Sequence, residues 1–288
     1  MILVTGAGGL NGGELVRRLS TKGVPVRALI RDAGRSEALS SLPQVEVVVG
    51  DMARPETLAE ALRGVDRAML ISSANAGMLD IQSSFIRAAR DAGVEHVVKL
   101  SGIIPGVDSP FRFARMHAEA ERTLEDSGMA FTHLRAGEFM PSYFRQVSNI
   151  VGRGILALPM DDARIASVDV GDIAEVAATV LTSPGHEGKT YELTGPEAHT
   201  MAEVAEILSA VTGKTIRYVN VAPEEARKAQ LAAGMPAYLA DGLFELFAER
   251  RKGMEGTVWP TIENEFGWKP IGFDDFARRN ASIFRGES

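Results

Sequence analysis

Cysteine is absent from the 288 residues. That excludes a disulfide framework and a thiolate metal site, and it fits a reducing compartment. Histidine is scarce: His96, His117, His133, His186 and His199 are scattered without ligand spacing, so no metal is expected. No block of lysine and arginine interrupts a net charge of −7, which argues against a nucleic-acid partner. No apolar run approaches the roughly 20 residues that cross a bilayer, and the first residues lack the basic-then-apolar plan of a secretory leader. The expectation is a cytoplasmic protein without membrane contact, a monomer or homodimer.

What is present is a globular composition, 45% hydrophobic and 24% charged, enough for one large domain or one and a half. Short apolar runs alternate with helical patterns. Strands are predicted at Ile2–Thr5, Val24–Arg31, Val45–Val49, Arg67–Ile71, His96–Leu100 and Ala130–Leu134. Helices are predicted between them at Leu10–Gly23, Pro55–Leu62, Leu79–Ala92 and Pro110–Ser127. Strands apolar on both faces and separated by helices indicate an α/β fold, a Rossmann-type doubly wound parallel sheet. After Arg135 the rhythm changes. Helices are expected at Glu138–Val151, Asp172–Leu181, Met201–Thr212, Pro223–Ala233, Pro236–Arg251 and Asp274–Phe284, and strands at Ile165–Val168, Thr190–Leu193 and Ile216–Val221. Asp172 reads as the N-cap of its helix. A dinucleotide-binding domain is expected from residues 1–137 and about 163–195, with a smaller, mostly helical substrate lobe from about 138–162 and 196–288.

The stretch VTGAGGLNGG packs five glycines into ten residues between a strand and an amphipathic helix. A helix N-terminus offers free N–H groups and about half a positive charge, the seat for a diphosphate. Gly6, Gly9 and Gly12 form G-x-x-G-x-x-G, and the expected contacts extend over Thr5, Gly8, Leu10 and Asn11. The second strand ends Ile30-Arg31-Asp32, about 20 residues on. An acid at the strand tip binds the ribose hydroxyl of NAD, and an arginine there pairs with the 2′-phosphate of NADP. Arg31 favours NADP, with Arg35 as a second phosphate ligand or a solvated loop residue; NAD is the alternative if Asp32 holds the tip. Asp51, followed by Met52, either accepts from the adenine amino group or caps the next helix. Ser72, Ser73 and Ala74 end the fourth strand, and Ser101 the fifth, where the sheet's carboxyl edge meets a cofactor.

The segments TGAGGLNG, VGD, LSG and VDVGDIAEV resemble the short-chain dehydrogenase/reductase superfamily in its extended and atypical branches. The stretch Ala114–Met140 resembles the NmrA-like group, which includes NADPH-quinone reductases and triphenylmethane dye reductases. The resemblance covers roughly residues 1–200. Reductases of the superfamily carry Tyr-x-x-x-Lys on the helix after the fifth strand, the lysine lowering the tyrosine pKa. Here that span is Phe113 to His117, so the usual proton donor is missing. The resemblance implies that His117 takes the lysine position at the nicotinamide ribose, and Glu121 at i+4 is placed to orient it. His117, Ser101 and Tyr143 are the candidate catalytic residues. Arg135 either forms an ion pair or contacts substrate.

A quinone or conjugated cation accepts hydride without simultaneous protonation, so a site lacking the tyrosine can still reduce it. Met78, Phe111, Phe113, Phe139 and Met140 are candidate walls of an apolar substrate pocket, with Tyr143, Phe144, Met160 and Trp259. Three functions are compatible: an NAD(P)H-dependent reductase of quinones or related aromatics, a tailoring enzyme acting on a polycyclic aromatic, or a non-catalytic sensor of NAD(P) redox state.

Overall fold

Ile2, Leu3 and Val4 are all buried, so the first strand is covered on both faces, the condition of an interior parallel strand. The structure is a computed structural model that describes residues 1–35, 37–104 and 106–287. The chain runs β1 (Ile2–Val4), α1 (Leu10–Thr21), β2 (Val26–Ile30), α2 (Glu37–Ser40), β3 (Val45–Val49), α3 (Leu58–Leu62) and β4 (Arg67–Leu70). It continues α4 (Met78–Asp91), β5 (His96–Gly102), α5 (Arg112–Glu125), β6 (Ala130–Ala136), α6 (Val147–Arg153), β7 (Ile155–Leu158), α7 (Val170–Thr182) and β8 (Lys189–Leu193). The remainder is α8 (Met201–Thr212), β9 (Arg217–Asn220), α9 (Pro223–Ala232), α10 (Ala237–Arg250), α11 (Phe273–Arg279) and α12 (Ala281–Arg285).

Two compact units emerge, one of residues 1–108, 113–135 and 170–191, the other of 109–112, 136–169 and 192–288. The main sheet has the order β3-β2-β1-β4-β5-β6-β8, with parallel pairing from β3 through β5. Alternate strand residues feed opposite faces. Leu3, Leu29, Leu70 and Val97 join Leu58 and Leu62 of α3, Phe85 and Ile86 of α4, and Leu124 of α5 in one core. On the other face α1 buries Leu15, Val16 and Leu19 and packs against α7. Each such side chain contributes about 2 kcal/mol of hydrophobic stabilisation. The strand order reverses between β1 and β4, and the crevice outside the strands' carboxyl ends at such a reversal is where doubly wound sheets bind ligands.

The second unit holds the parallel pair β7–β9 and a core of Met140, Tyr143, Leu156, Met160 and Phe247 with the aromatic set Phe273, Phe276 and Phe284. Thr200 and Glu203 form a reciprocal capping box at the start of α8, worth about 1 kcal/mol. Arg250 is buried between the carboxylates of Glu138 and Glu255. Among the described residues no helix is long and apolar enough to cross a membrane.

Local chemistry shifts several predicted elements. Glu138–Val151 is not one helix: Pro141 opens a 3-10 turn at Met140–Gln146, and α6 begins only at Val147. Asp274–Phe284 is divided at Asn280, whose side-chain amide bonds the Phe276 carbonyl at 2.8 Å and competes with the helix ladder. Residues 165–168 make only isolated bridges, Ile165 to His199 and Phe139 to Val168; the strand of this region is β7, earlier in the chain. Asp172 lies in the first turn of α7 and not at its cap, because the helix already begins at Val170.

Candidate active site

β1 and β4 are stitched beyond their ladder by Thr5, whose hydroxyl donates to the Ile71 carbonyl at 2.8 Å and accepts from the Ile71 N–H at 2.7 Å. The chain then turns at Gly6 with φ +60°, where a side chain is strained and a Cβ would lie 3.1 Å from the Ile71 oxygen. A Cβ on Gly12 would stand 2.4 Å from the Gly6 carbonyl oxygen. The first turn of α1 therefore rests directly on the loop backbone. Gly9 caps α1 without a side-chain hydrogen bond, so the N–H groups of the first turn remain available.

These features open onto a groove of about 620 Å³ in the first unit. Gly6, Gly8, Gly9, Leu10, Asn11 and Gly12 form its floor, and Arg31, Asp51, Met52, Ser72 and Ser73 its other sides. Asp32, Gly50, Ile71 and Asn75 line it as well. Thr5 is buried in its stitching role, and exposed Ala74 is not among the lining residues. The side chain of Arg35 lies outside the described residues. The Asn11 side-chain oxygen is buried without a protein partner. A glycine cradle and a helix N-terminus with free N–H donors fit a dinucleotide's diphosphate.

Two carboxylates beside the groove are used locally. Asp32 accepts the Gly34 N–H at 2.9 Å, closing a turn. Asp51 accepts the Ala53 N–H at 3.0 Å, and its own N–H is held by the Thr57 hydroxyl at 2.9 Å. Arg31 is exposed at the groove and has no partner among the described residues. Arg31 is thus the cation among these lining residues, beside two carboxylates that each accept a backbone N–H of their own loop.

The fifth strand carries a group the sequence reading passed over. Lys99 is fully buried, with Nζ 3.0 Å from Ser101 Oγ and 3.0 Å from His117 Nδ1. Burial lowers its ammonium from the ordinary 10.5 to about 7. His117, half-buried on α5, is held well below its ordinary value by burial and then by the Lys99 charge, so its ring is neutral. Its edge lies against Gly102, where a Cβ would come within 3.2 Å. Glu121 does not orient His117, as the i+4 spacing suggested. It pairs with Arg135 at 2.6 Å instead, because β6 brings that guanidinium closer. Burial raises the Glu121 carboxyl, and hydrogen bonds from Arg135 and Ser101 more than reverse this, leaving it below the usual range. Glu121, Glu125 and His133 cluster within 4.8 Å, but Arg135 and His133 already engage the two carboxylates.

The warning for Lys99 was legible: a lysine inside the apolar run HVVKL is seldom fully buried without a partner. A second missed residue is Gln82 of α4, whose amide donates to Ser72 Oγ at 2.8 Å and fixes that hydroxyl at the groove. The β4–β5 register pairs Leu70 with Lys99 as the last step of that ladder, two residues before Ser72 and Ser101 on their respective chains.

The proposed substrate walls are divided between the two units. Met78 and Phe113 are buried in the first unit. Met140, Tyr143 and Met160 belong to the core of the second unit, with Phe144 packed against it. Phe111 and Phe139 are half-buried and Trp259 is exposed. Tyr143 is corrected as a proton donor. Its hydroxyl is buried 3.4 Å from Ser167 Oγ, its ring packs edge-on to Phe273 at 5.0 Å, and burial holds the phenol above its usual range.

The whole chain has relatives of the same length. An NAD(P)H azoreductase of Xenophilus azovorans is 36% identical over 284 residues, 99% of each chain. The structure of an Escherichia coli NADPH-dependent quinone oxidoreductase with NADPH superposes with a TM-score of 0.87 at 30% identity, covering 97% of this chain and 99% of that one. The Citrobacter sp. triphenylmethane reductase with NADP(H) gives a TM-score of 0.86 at 28% identity, covering 98% and 100%. The model of the NmrA-like family matches residues 1–270. This chain belongs to the NmrA-like family.

Proposed function

We propose that this chain is an NADPH-dependent oxidoreductase that reduces a quinone or another conjugated aromatic acceptor. The observation that carries the reading is the groove itself: a glycine-floored helix N-terminus with Arg31 at its rim, unpaired among the described residues, and Asp32 tied to its own turn. The free N–H groups of α1 hold the diphosphate. Arg31 pairs with the 2′-phosphate through a charge-assisted fork, which selects NADPH over NADH. Asp51 and Met52 flank the adenine, and Ser72 and Ser73 line the path toward the reactive end.

When bound, the reduced nicotinamide supplies a hydride. His117 and Ser101 stand at that end and orient the ring and its ribose. With Phe113 where the superfamily has tyrosine, the favoured acceptors are those whose reduced forms are stabilised by conjugation. The similar proteins named for azo compounds, quinones and triphenylmethane dyes support this acceptor class. The second unit is assigned as the acceptor lobe.

Titration calorimetry with NADPH and NADH, followed by NADPH oxidation against quinones, an azo dye and a cationic triarylmethane dye, tests the reading. Binding of NADPH with turnover of at least one class is expected. No heat with either coenzyme overturns it, and tight binding of both without turnover points to a redox sensor.

A further inference from the structure

Among the described residues the Lys99 ammonium has two hydrogen-bonding neighbours, Ser101 Oγ and His117 Nδ1, each at 3.0 Å, and no exposure to solvent. Ser101 is itself buried and donates its hydroxyl to buried Glu121, whose carboxylate is also held by Arg135. That branch leads inward to a paired anion. Of the two groups that Lys99 hydrogen-bonds among the described residues, Ser101 is buried and His117 half-buried, so the imidazole gives a proton on Lys99 a path toward the outside. An Nδ1 that accepts from lysine leaves the ring proton on Nε2, at the other end of the same half-buried ring.

We propose that Lys99 and His117 form a proton relay that supplies the proton consumed when a quinone is reduced. The inference rests on the reductase reading above. After hydride reaches the acceptor, the His117 Nε2–H bond breaks and an O–H bond forms on the hydroquinone anion. A Lys99 Nζ–H bond breaks in the same event and an N–H bond forms at His117 Nδ1. Lysine is left neutral and histidine neutral in its other tautomer. One solvent proton, taken up at Nε2 after product leaves, returns the Nδ1 proton to Lys99 and resets the pair. Lys99 acts through His117 and is a positioning residue that also holds the proton. The charged and titratable groups facing it are His117 and Glu121 on α5 and Arg135 and His133 on β6.

The acceptor itself provides the control. Hydride converts a quinone to a hydroquinone anion that then has to be protonated before the neutral product leaves, whereas a cationic triarylmethane dye becomes its neutral leuco form with hydride alone. Lys99→Met is expected to lower the quinone rate about 100-fold relative to the dye rate, the range of a general acid, with NADPH affinity retained by calorimetry. Wild-type quinone turnover is expected to fall as pH rises through about 7, and the variant to lose that limb. Equal effects on both acceptors, or none on either, overturn the relay while leaving the reductase reading intact. Wild-type failure with both acceptors overturns both proposals. Independently of turnover, and in case the variant does not fold, ¹⁵N NMR of the wild-type lysine side chains decides the point. A Nζ signal titrating near pH 7 and displaced in His117→Gln supports the relay; titration of all lysines near pH 10 overturns it.

Discussion

The Nζ of Lys99 and the Nδ1 of His117 approach to 3.0 Å at a point where the lysine has no solvent exposure. The strand supplies one and the following helix the other, so the pair exists only once α5 has packed on the sheet. A ring kept neutral by its surroundings thus stands in hydrogen-bond contact with an ammonium that burial lowers to about 7.

That burial makes stability depend on pH in a definite direction. The unfolded chain keeps the Lys99 proton up to about 10.5, and the folded chain releases it near 7. In this window the unfolded state binds more protons, so the wild type becomes more stable as pH rises. Lys99→Met removes the cost of burying the charge and is expected to be stabilised at or below pH 7. Its advantage should shrink by about 3 kcal/mol between about pH 7 and about pH 9.5. Urea unfolding at both values checks this; a constant difference between the two proteins contradicts it.

Coenzyme choice should follow Arg31. Replacing it with Asp removes the free cation and puts a like charge beside the phosphate. The ratio of NADPH to NADH affinity is expected to fall by about 10-fold or more, equivalent to at least about 1.4 kcal/mol. Asp32→Ala should leave the ratio nearly unchanged, because that carboxylate serves the Gly34 N–H. Calorimetry with both coenzymes measures the two ratios.

Gly12→Ala tests the seat of α1. Its methyl group would fall 2.4 Å from the Gly6 oxygen, which is backbone and cannot rotate away. A loss of about 1–3 kcal/mol is expected, with weakened NADPH binding as the loop is pushed off the helix. Thermal unfolding and calorimetry on the same sample would show both; an unchanged melting temperature would mean the contact relaxes freely.

Glu121→Gln should destabilise the protein by about 3 kcal/mol at neutral pH, because Arg135 loses its anion in a largely buried setting. The native carboxyl lies below its ordinary 4.5, so its contribution is present above that value and is lost as pH falls through the lower folded one. The gap between wild type and variant should therefore close in acid, measured by denaturant midpoints from pH 7 downward.

Much of the fold was legible because its signals are local. β1 through β6 announce themselves as apolar runs, and the helices between them by period. The glycine loop is recognisable from spacing and from its place between strand and helix. Elements whose ends depend on one side chain were not legible: Asn280 divides α11 from α12 through a hydrogen bond, and Pro141 leaves a 3-10 turn where apolar spacing suggested continuous helix. The substrate walls were harder still. Met140, Tyr143 and Met160 look the same in sequence whether they line a cavity or fill a core, and here they fill one.

Sequence alone was enough for the fold class and for the place of the glycine loop between β1 and α1, since both depend on patterns local to strand–turn–helix units. Tertiary packing decided which charges meet. Helical spacing offered Glu121 to His117, yet β6 delivered Arg135 to Glu121 and β5 delivered Lys99 to His117. Long-range electrostatic partners are chosen by which elements stack side by side, and spacing within one helix cannot report that.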